Sequence, residues 1–180
     1  IRFDESKTRP MGRNASGVRG ITLADENDEV VGMIAIQNPQ EETVLVVSEN
    51  GYGKRTYIDD PEDGEPIYRI TNRGGKGVKT ISITAKTGNL VAIKNVTDLD
   101  DLMIINKSGL AIRTSVSNLR VMGRATQGVR LINLKNNDSI AAVAKVINEE
   151  EDVEDVAEDA TPENNGLNED GTTLANDSEE

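Results

Sequence analysis

A seven-residue frame that occurs three times constrains this chain more than any other feature. Arg13-Asn14-Ala15-Ser16-Gly17-Val18-Arg19, Arg73-Gly74-Gly75-Lys76-Gly77-Val78-Lys79 and Arg124-Ala125-Thr126-Gln127-Gly128-Val129-Arg130 align position for position. The shared order is Arg, three small or polar residues, Gly, Val and a base. An isoleucine follows at Ile21, Ile81 and Ile132, and successive copies lie 60 and 51 residues apart. A second frame agrees: Val46-Val47-Ser48-Glu49-Asn50-Gly51 leading to Arg55-Thr56 matches Ile104-Ile105-Asn106-Lys107-Ser108-Gly109 leading to Arg113-Thr114. Ile1-Arg2 with Met11-Gly12-Arg13 has the spacing of Ile112-Arg113 with Met122-Gly123-Arg124. A repeat of about fifty residues with strand-like content is one supersecondary unit that buries its apolar face only against its neighbours, as propeller blades do.

The apolar runs between these turns predict strands over 18–23, 30–36, 43–48, 53–58, 78–84, 90–96, 102–105, 110–116, 129–134 and 140–147, with 1–3 as the remnant of another. Asn50-Gly51 is the favoured sequence for a tight primed turn, since both positions tolerate positive φ. Several of the runs are almost wholly apolar, the pattern of strands covered on both faces. No long stretch holds a helical period. The expected architecture is all-β: about three four-stranded blades of a propeller-like array.

Charge is distributed unevenly. The net charge of −12 comes from 149–180, which carries 14 acidic residues and no base; the body, 1–148, holds all 20 Lys and Arg against 18 Asp and Glu, so it is about +2. An acidic total therefore does not argue against a polyanionic partner for the body. The segment 149–180 is expected to be a disordered acidic tail. The chain starts inside a repeat and reads as the C-terminal part of a longer protein. No apolar run approaches membrane-spanning length.

Histidine, cysteine and tryptophan are absent. That excludes histidine-based acid–base chemistry, Ser-His-Asp triads, thiolate nucleophiles, disulfides and the usual zinc ligand sets. The carboxylate pairs Asp59-Asp60 and Asp100-Asp101 lie in acidic turns and read as solvated surface. Gly74-Gly75-Lys76-Gly77 lacks the Ser or Thr and the earlier Gly of a phosphate loop. Asp59-Asp60-Pro61-Glu62-Asp63-Gly64 has Ile70 where a calcium loop needs its bidentate carboxylate. No catalytic and no metal site is expected here.

What remains is a recurrent set of bases: Arg13, Arg19, Arg73, Lys76, Lys79, Arg124 and Arg130 in the turns, with Arg2, Lys54, Arg55 and Arg113 in the hairpins. If each repeat is one blade, equivalent bases fall at equivalent heights on the rim and form a charged track. Such a track suits the backbone of bent duplex DNA, whose phosphates supply affinity without sequence information. Four aromatics in the chain (Phe3, Tyr52, Tyr57, Tyr68) are too few for a single-strand stacking platform.

Glu49-Asn50-Gly51-Tyr52-Gly53-Lys54-Arg55-Thr56, Arg73-Gly74-Gly75-Lys76-Gly77-Val78 and Gly123-Arg124-Ala125-Thr126-Gln127-Gly128-Val129 closely resemble the C-terminal domain of the DNA gyrase A subunit; so does Arg9-Pro10-Met11-Gly12-Arg13 followed by Gly17-Val18-Arg19-Gly20-Ile21. The resemblance covers the body. It implies a β-pinwheel whose basic rim wraps duplex DNA, and it places the active-site tyrosine upstream of these residues, so that no tyrosine here takes that role. It further implies ATP and Mg2+ in the partner subunit or catalytic core rather than in this chain, and a parent A2B2 assembly with gyrase B. A cytoplasmic, nucleoid-associated place in a bacterium follows from the same likeness. That family's hallmark box reads Gln-Arg-Arg-Gly-Gly-Lys-Gly in its first blade. Here Thr71-Asn72 stand in place of its first two residues, so Arg73, Gly74, Gly75, Lys76 and Gly77 resemble a box-like turn of a later blade. Two alternatives remain open at this point: the C-terminal domain of the A-type subunit of topoisomerase IV, and a protein-interaction propeller that binds no nucleic acid.

Overall fold

Each strand of the computed structural model, which describes residues 1–135 and 138–146, overlaps a segment expected to be a strand. The strands are β1 (Thr43–Ser48), β2 (Tyr52–Tyr57), β3 (Leu90–Val96), β4 (Asp101–Asn106), β5 (Ala111–Ser115), β6 (Val129–Arg130) and β7 (Ile140–Val146). Two short 3-10 turns, Glu5–Lys7 and Val116–Asn118, are the helical elements among the described residues. No helix there is long and apolar enough to cross a membrane. The expected tail lies outside the described residues; contacts divide the chain into Ile1–Glu149 and Glu150–Glu180.

The strands form a four-stranded sheet in the order β3-β1-β2-β6 and a three-stranded sheet in the order β5-β4-β7, with every pairing antiparallel. The core of each sheet is the same unit. β1 is flanked by β2 and β3 as β4 is by β5 and β7, and the register shifts at the equivalent places, Val47/Ser48 and Ile105/Asn106. The all-β expectation of a repeated antiparallel array thus holds, with one four-stranded and one three-stranded sheet among the described residues.

Residues 18–23, 30–36 and 78–84 are not strands. The reason is pairing. β3 and β7 lie against the first strands of their hairpins, β1 and β4, and β6 lies against β2 of the preceding repeat. Residues 18–23 and 30–36 join no ladder among the described residues, and Val30 and Met33 stand exposed, Met33 at 90%. Residues 78–84 make single bonds to the next turn instead, Ser82 N–H donating to Thr126 O at 3.1 Å.

The hairpin loop also differs from the expected two-residue primed turn. Gly51 N–H donates to Ser48 O at 3.1 Å, closing a loop over 49–51 in which Gly51 takes φ +80°. The β4–β5 loop repeats this, with Gly109 N–H on Asn106 O and φ +89°. A turn followed by one left-handed glycine is the usual three-residue solution.

β1 is buried along its whole length, and its alternate side chains serve two cores. Leu45 and Val47 pack with Ala92, Val96, Leu102, Ile104, Val116 and Ile140, joining the two sheets. Val44 and Val46 face Ile58, Tyr68 and Ile81, with Ile34 and Ile36 of the first repeat against them. A strand covered on both faces needs no polar alternation, which explains Thr-Val-Leu-Val-Val-Ser.

The frame glycine takes positive φ in each copy: Gly17 at +80°, Gly77 at +77° and Gly128 at +80°. At two of them the preceding repeat passes close. A Cβ on Gly77 would sit 2.8 Å from Ile1 N, and one on Gly128 would sit 2.5 Å from Gly53 O, whereas nothing lies within 4 Å at Gly17. Gly17→Ala is therefore expected to cost only the left-handed conformation, about 1–2 kcal/mol. Gly128→Ala adds a backbone collision and should cost at least about twice that. Urea unfolding of the two variants measures the difference, and equal costs would contradict the close crossing.

Candidate nucleic-acid interface

The basic turns are joined in series by matching hydrogen bonds. Arg73 Nη1 donates to Arg19 O at 3.1 Å, and Arg124 Nη1 donates to Lys79 O at 3.2 Å. Arg19 and Lys79 are the same frame position, so each turn's leading arginine holds the carbonyl of the base that ends the turn before it. Thr22 N–H donates to Gly75 O and its hydroxyl to Gly74 O. Ser82 N–H and hydroxyl do the same to Thr126 O and Ala125 O. The turns at 13–19, 73–79 and 124–130 therefore stand side by side in order, although 60 and 51 residues separate them.

Along this row Arg13, Arg19, Lys76, Lys79 and Arg130 are exposed. Arg73 and Arg124 are half-buried, since part of each guanidinium is spent on the neighbouring turn; Arg73 Nε also donates to Lys7 O at 3.0 Å. Gly74 and Gly77 both take positive φ, which lets the box-like turn fold tightly enough for Gly74 N–H to reach Gly20 O at 2.6 Å. Exposed guanidinium and ammonium groups on a rigid backbone can receive phosphate oxygens.

The structure corrects the placement of the hairpin bases. Lys54 is 1% exposed, and its Nζ donates to the carbonyls of Gly123 and Arg124. Arg55, 7% exposed, donates from Nε to Leu119 O and pairs with Asp98. Arg2 pairs with Asp59 and donates to Tyr68 O at 3.1 Å. These three side chains are turned into the junction between repeats, where the crossing segment of the next repeat offers backbone carbonyls. Parallel bridges between Arg2 and Ile70 and between Arg55 and Val121 mark the same junction twice. Arg113 is exposed on β5, with Nε on Asp101 at 2.6 Å. The exposed row therefore consists of turn residues and excludes Arg2, Lys54 and Arg55.

Two acidic turns are also less solvated than expected. Asp59 holds Arg2, and Asp100 is 5% exposed, its Oδ2 accepting from Thr97 N–H at 2.7 Å with Lys145 Nζ 3.6 Å away. They are structural carboxylates of the junctions and strand ends.

Burial, with help from the Arg124 charge, lowers the Lys54 ammonium to about 8. Between that value and the ordinary lysine value of 10.5 the unfolded chain binds a proton that the folded chain has released. Stability therefore rises with pH through this window, and the cost of the charge is fully present below it. Unfolding at pH 8 and pH 10, compared between the chain and Lys54→Met, should show a rise in the unaltered chain that the variant lacks.

Sequence reasoning missed two members of the surface. Tyr52 is 8% exposed, with Arg130 and Lys86 each 5.3 Å from its ring centroid. Lys86 falls outside the repeated frame, so it carries no periodic signal. The cue for Tyr52 was its place just after the hairpin glycine, which the β2–β6 pairing sets opposite Arg130.

Repeated antiparallel sheets, joined through turns that line up their bases on one row, define a propeller-like repeat domain with a cationic edge. The chain belongs to the DNA gyrase C-terminal domain, beta-propeller family, which it matches over residues 1–37, 42–60, 68–97 and 100–147. The A subunit of DNA gyrase from Staphylococcus aureus (strain NCTC 8325 / PS 47) is 48% identical over 172 residues, 96% of this chain. The proteins of strains COL and MSSA476 match to the same extent. The chain spans only 18% of the length of these relatives. Among solved structures, that of the DNA gyrase A C-terminal domain superposes with TM-score 0.68 at 28% identity, over 81% of this chain and 46% of that one. The C-terminal domain of DNA topoisomerase IV superposes with TM-score 0.71 at 22% identity, over 81% of this chain and 42% of that one, a likeness of fold alone.

Proposed function

We propose that this chain binds and bends duplex DNA along the row of basic turns, as the DNA-wrapping part of a type II topoisomerase of the gyrase kind. The observation that carries the reading is the serial bonding of the three turns, which sets Arg13, Arg19, Lys76, Lys79 and Arg130 in chain order along one row. Lysine and arginine meeting phosphate give affinity without base readout. The chain itself performs no chemistry in this reading. Breakage and rejoining of DNA, and the ATP and Mg2+ that drive supercoiling, belong to the rest of the parent A2B2 complex with gyrase B, in the bacterial cytoplasm. The 48% identity to gyrase A proteins favours gyrase over topoisomerase IV.

Fluorescence anisotropy of a labelled mixed-sequence duplex, titrated with the chain over a range of salt, tests this. Binding should weaken steeply as salt rises and should be indifferent to sequence. A protein-interaction propeller predicts no salt-dependent DNA affinity, and that result would overturn the reading. The acidic segment 149–180 enters as a competitor. Its 14 negative charges, tethered to a basic body, act at high local concentration. Deleting 149–180 should tighten duplex binding at low salt; unchanged affinity would show that the segment does not compete.

A further inference from the structure

We infer that Lys86 and Arg130, fixed on the ring of Tyr52, form a preorganised seat for one phosphate of the bound duplex. The inference rests on the DNA-binding reading and adds a site to it, since neither Lys86 nor Tyr52 belongs to the repeated basic frame.

The seat joins two repeats. Tyr52 opens β2 and pairs across the sheet with Arg130 of β6. Arg130 Nη2 donates to Tyr52 Oη at 2.8 Å, and Nη1 donates to Asn133 Oδ1 at 3.0 Å. Its guanidinium carbon lies 5.3 Å from the ring centroid. Lys86 Nζ lies 5.3 Å from the same centroid. Lys86 comes from the other side, on a turn held by the hairpin tip: Asn50 Nδ2 donates to Lys86 O at 3.2 Å and to Ala85 O at 3.3 Å. Thr87, beside it, is fully buried, and its hydroxyl accepts from Thr84 N–H at 2.9 Å. Both cations are thus carried on anchored backbone and gathered by one buried ring, while their own side chains remain exposed.

Glu49 packs against Gly88 beside Lys86, yet neither Lys86 nor Arg130 forms an ion pair with a carboxylate among the described residues. The hydrogen bond from Arg130 holds the Tyr52 hydroxyl below its usual ionisation range, with the charges of Arg130 and Lys86 acting in the same direction. A phosphate oxygen supplies the missing anion. Exposed lysine and arginine side chains normally give up rotamer freedom when they bind. Here the ring has already removed much of that freedom, so the contact costs less. The arrangement belongs to this junction. At the position equivalent to Tyr52, the next hairpin has Leu110, which is 55% exposed and offers neither a π face nor a hydroxyl.

Tyr52 is therefore a positioning residue, and Lys86 and Arg130 make the contact. Duplex binding is measured by anisotropy across a salt series for the whole chain and for Lys86→Gln, Arg130→Gln, Tyr52→Phe, Tyr52→Leu and the Tyr52→Leu/Arg130→Gln pair, with Lys76→Gln as a comparison. Lys86→Gln and Arg130→Gln should each weaken binding and lower the slope of log K against log salt, and the two together should lower it by no more than about 1, since they share one phosphate. Tyr52→Leu should weaken binding roughly three- to tenfold, measured on the folded population, and Tyr52→Phe, which keeps the π face, should lose less. Tyr52→Leu and Arg130→Gln should be non-additive, whereas Tyr52→Leu and Lys76→Gln should add. If Tyr52→Leu unfolds the chain, the two surface substitutions still decide the matter. Loss of affinity on Lys76→Gln, with none on Lys86→Gln or Arg130→Gln, overturns the seat and leaves the DNA reading intact. Absence of salt-dependent duplex binding by the unaltered chain overturns both.

Discussion

Replacing Arg19, Lys76 and Lys79 together with glutamine is expected to weaken duplex binding by roughly thirtyfold or more near 0.1 M salt, and to lower the slope of log K against log salt by about 3. All three side chains are exposed and belong to successive turns of the bonded row. The bonds that hold the row use the carbonyls of Arg19 and Lys79, not their side chains. Stability should therefore stay within about 0.5 kcal/mol of the unaltered chain. The same experiment with Lys94 of β3 and Lys107 of the β4–β5 loop, which lie outside the turns, should leave the slope much closer to its original value.

Lys54→Ala should act in the opposite manner, with a large loss of stability and no loss of an exposed charge. Its ammonium is the shared donor to Gly123 O and Arg124 O at a site closed off from solvent. Removing it leaves the Gly123 and Arg124 carbonyls without that donor and opens a hole the size of the lysine stem. The expected cost is about 3 kcal/mol or more, from the lost charge-assisted bonds and the cavity together. A domain stable by about 5–15 kcal/mol feels such a loss as a large fall in its melting temperature. Lys54→Met keeps the stem and should recover part of the stability. In the folded population of Lys54→Met the salt slope of DNA binding should be unchanged, because Lys54 Nζ already has protein partners. A lowered slope would return Lys54 to the interface.

Much of the fold was legible because the repeat is a physical unit. The equivalence of Val46–Gly51 with Ile104–Gly109 anticipated two hairpins, and both formed, each with the same register shift where a third strand joins its first strand. The apolar run of β1 correctly implied burial on two faces. The order of the basic turns was legible for the same reason, since copies of one unit stack in sequence. What the sequence did not reveal was the direction of each base. Lys54 and Lys76 each directly follow a glycine, Gly53 and Gly75, and that local context does not separate them. Lys54 is drawn inward by carbonyls 69 and 70 residues further along. Arg55 likewise answers to Leu119 O and Asp98, and Arg2 to Tyr68 O and Asp59. The ladder at 30–36 failed for a related reason: a strand needs a partner, and periodicity alone does not say whether one is present. Tyr52 escaped notice because its role depends on a cross-repeat pairing with Arg130.

Lysine reactivity across the chain tests the central claim most directly. Acetylation of the full chain, free and bound to a duplex, is read residue by residue by mass spectrometry. A duplex on the row of turns should protect Lys76, Lys79 and Lys86, leave Lys94, Lys107 and Lys145 as reactive as before, and not alter the low reactivity of buried Lys54. Protection of Lys107 and Lys145, with Lys76 and Lys79 still fully reactive, would place the duplex elsewhere and contradict a cationic edge built from the basic turns.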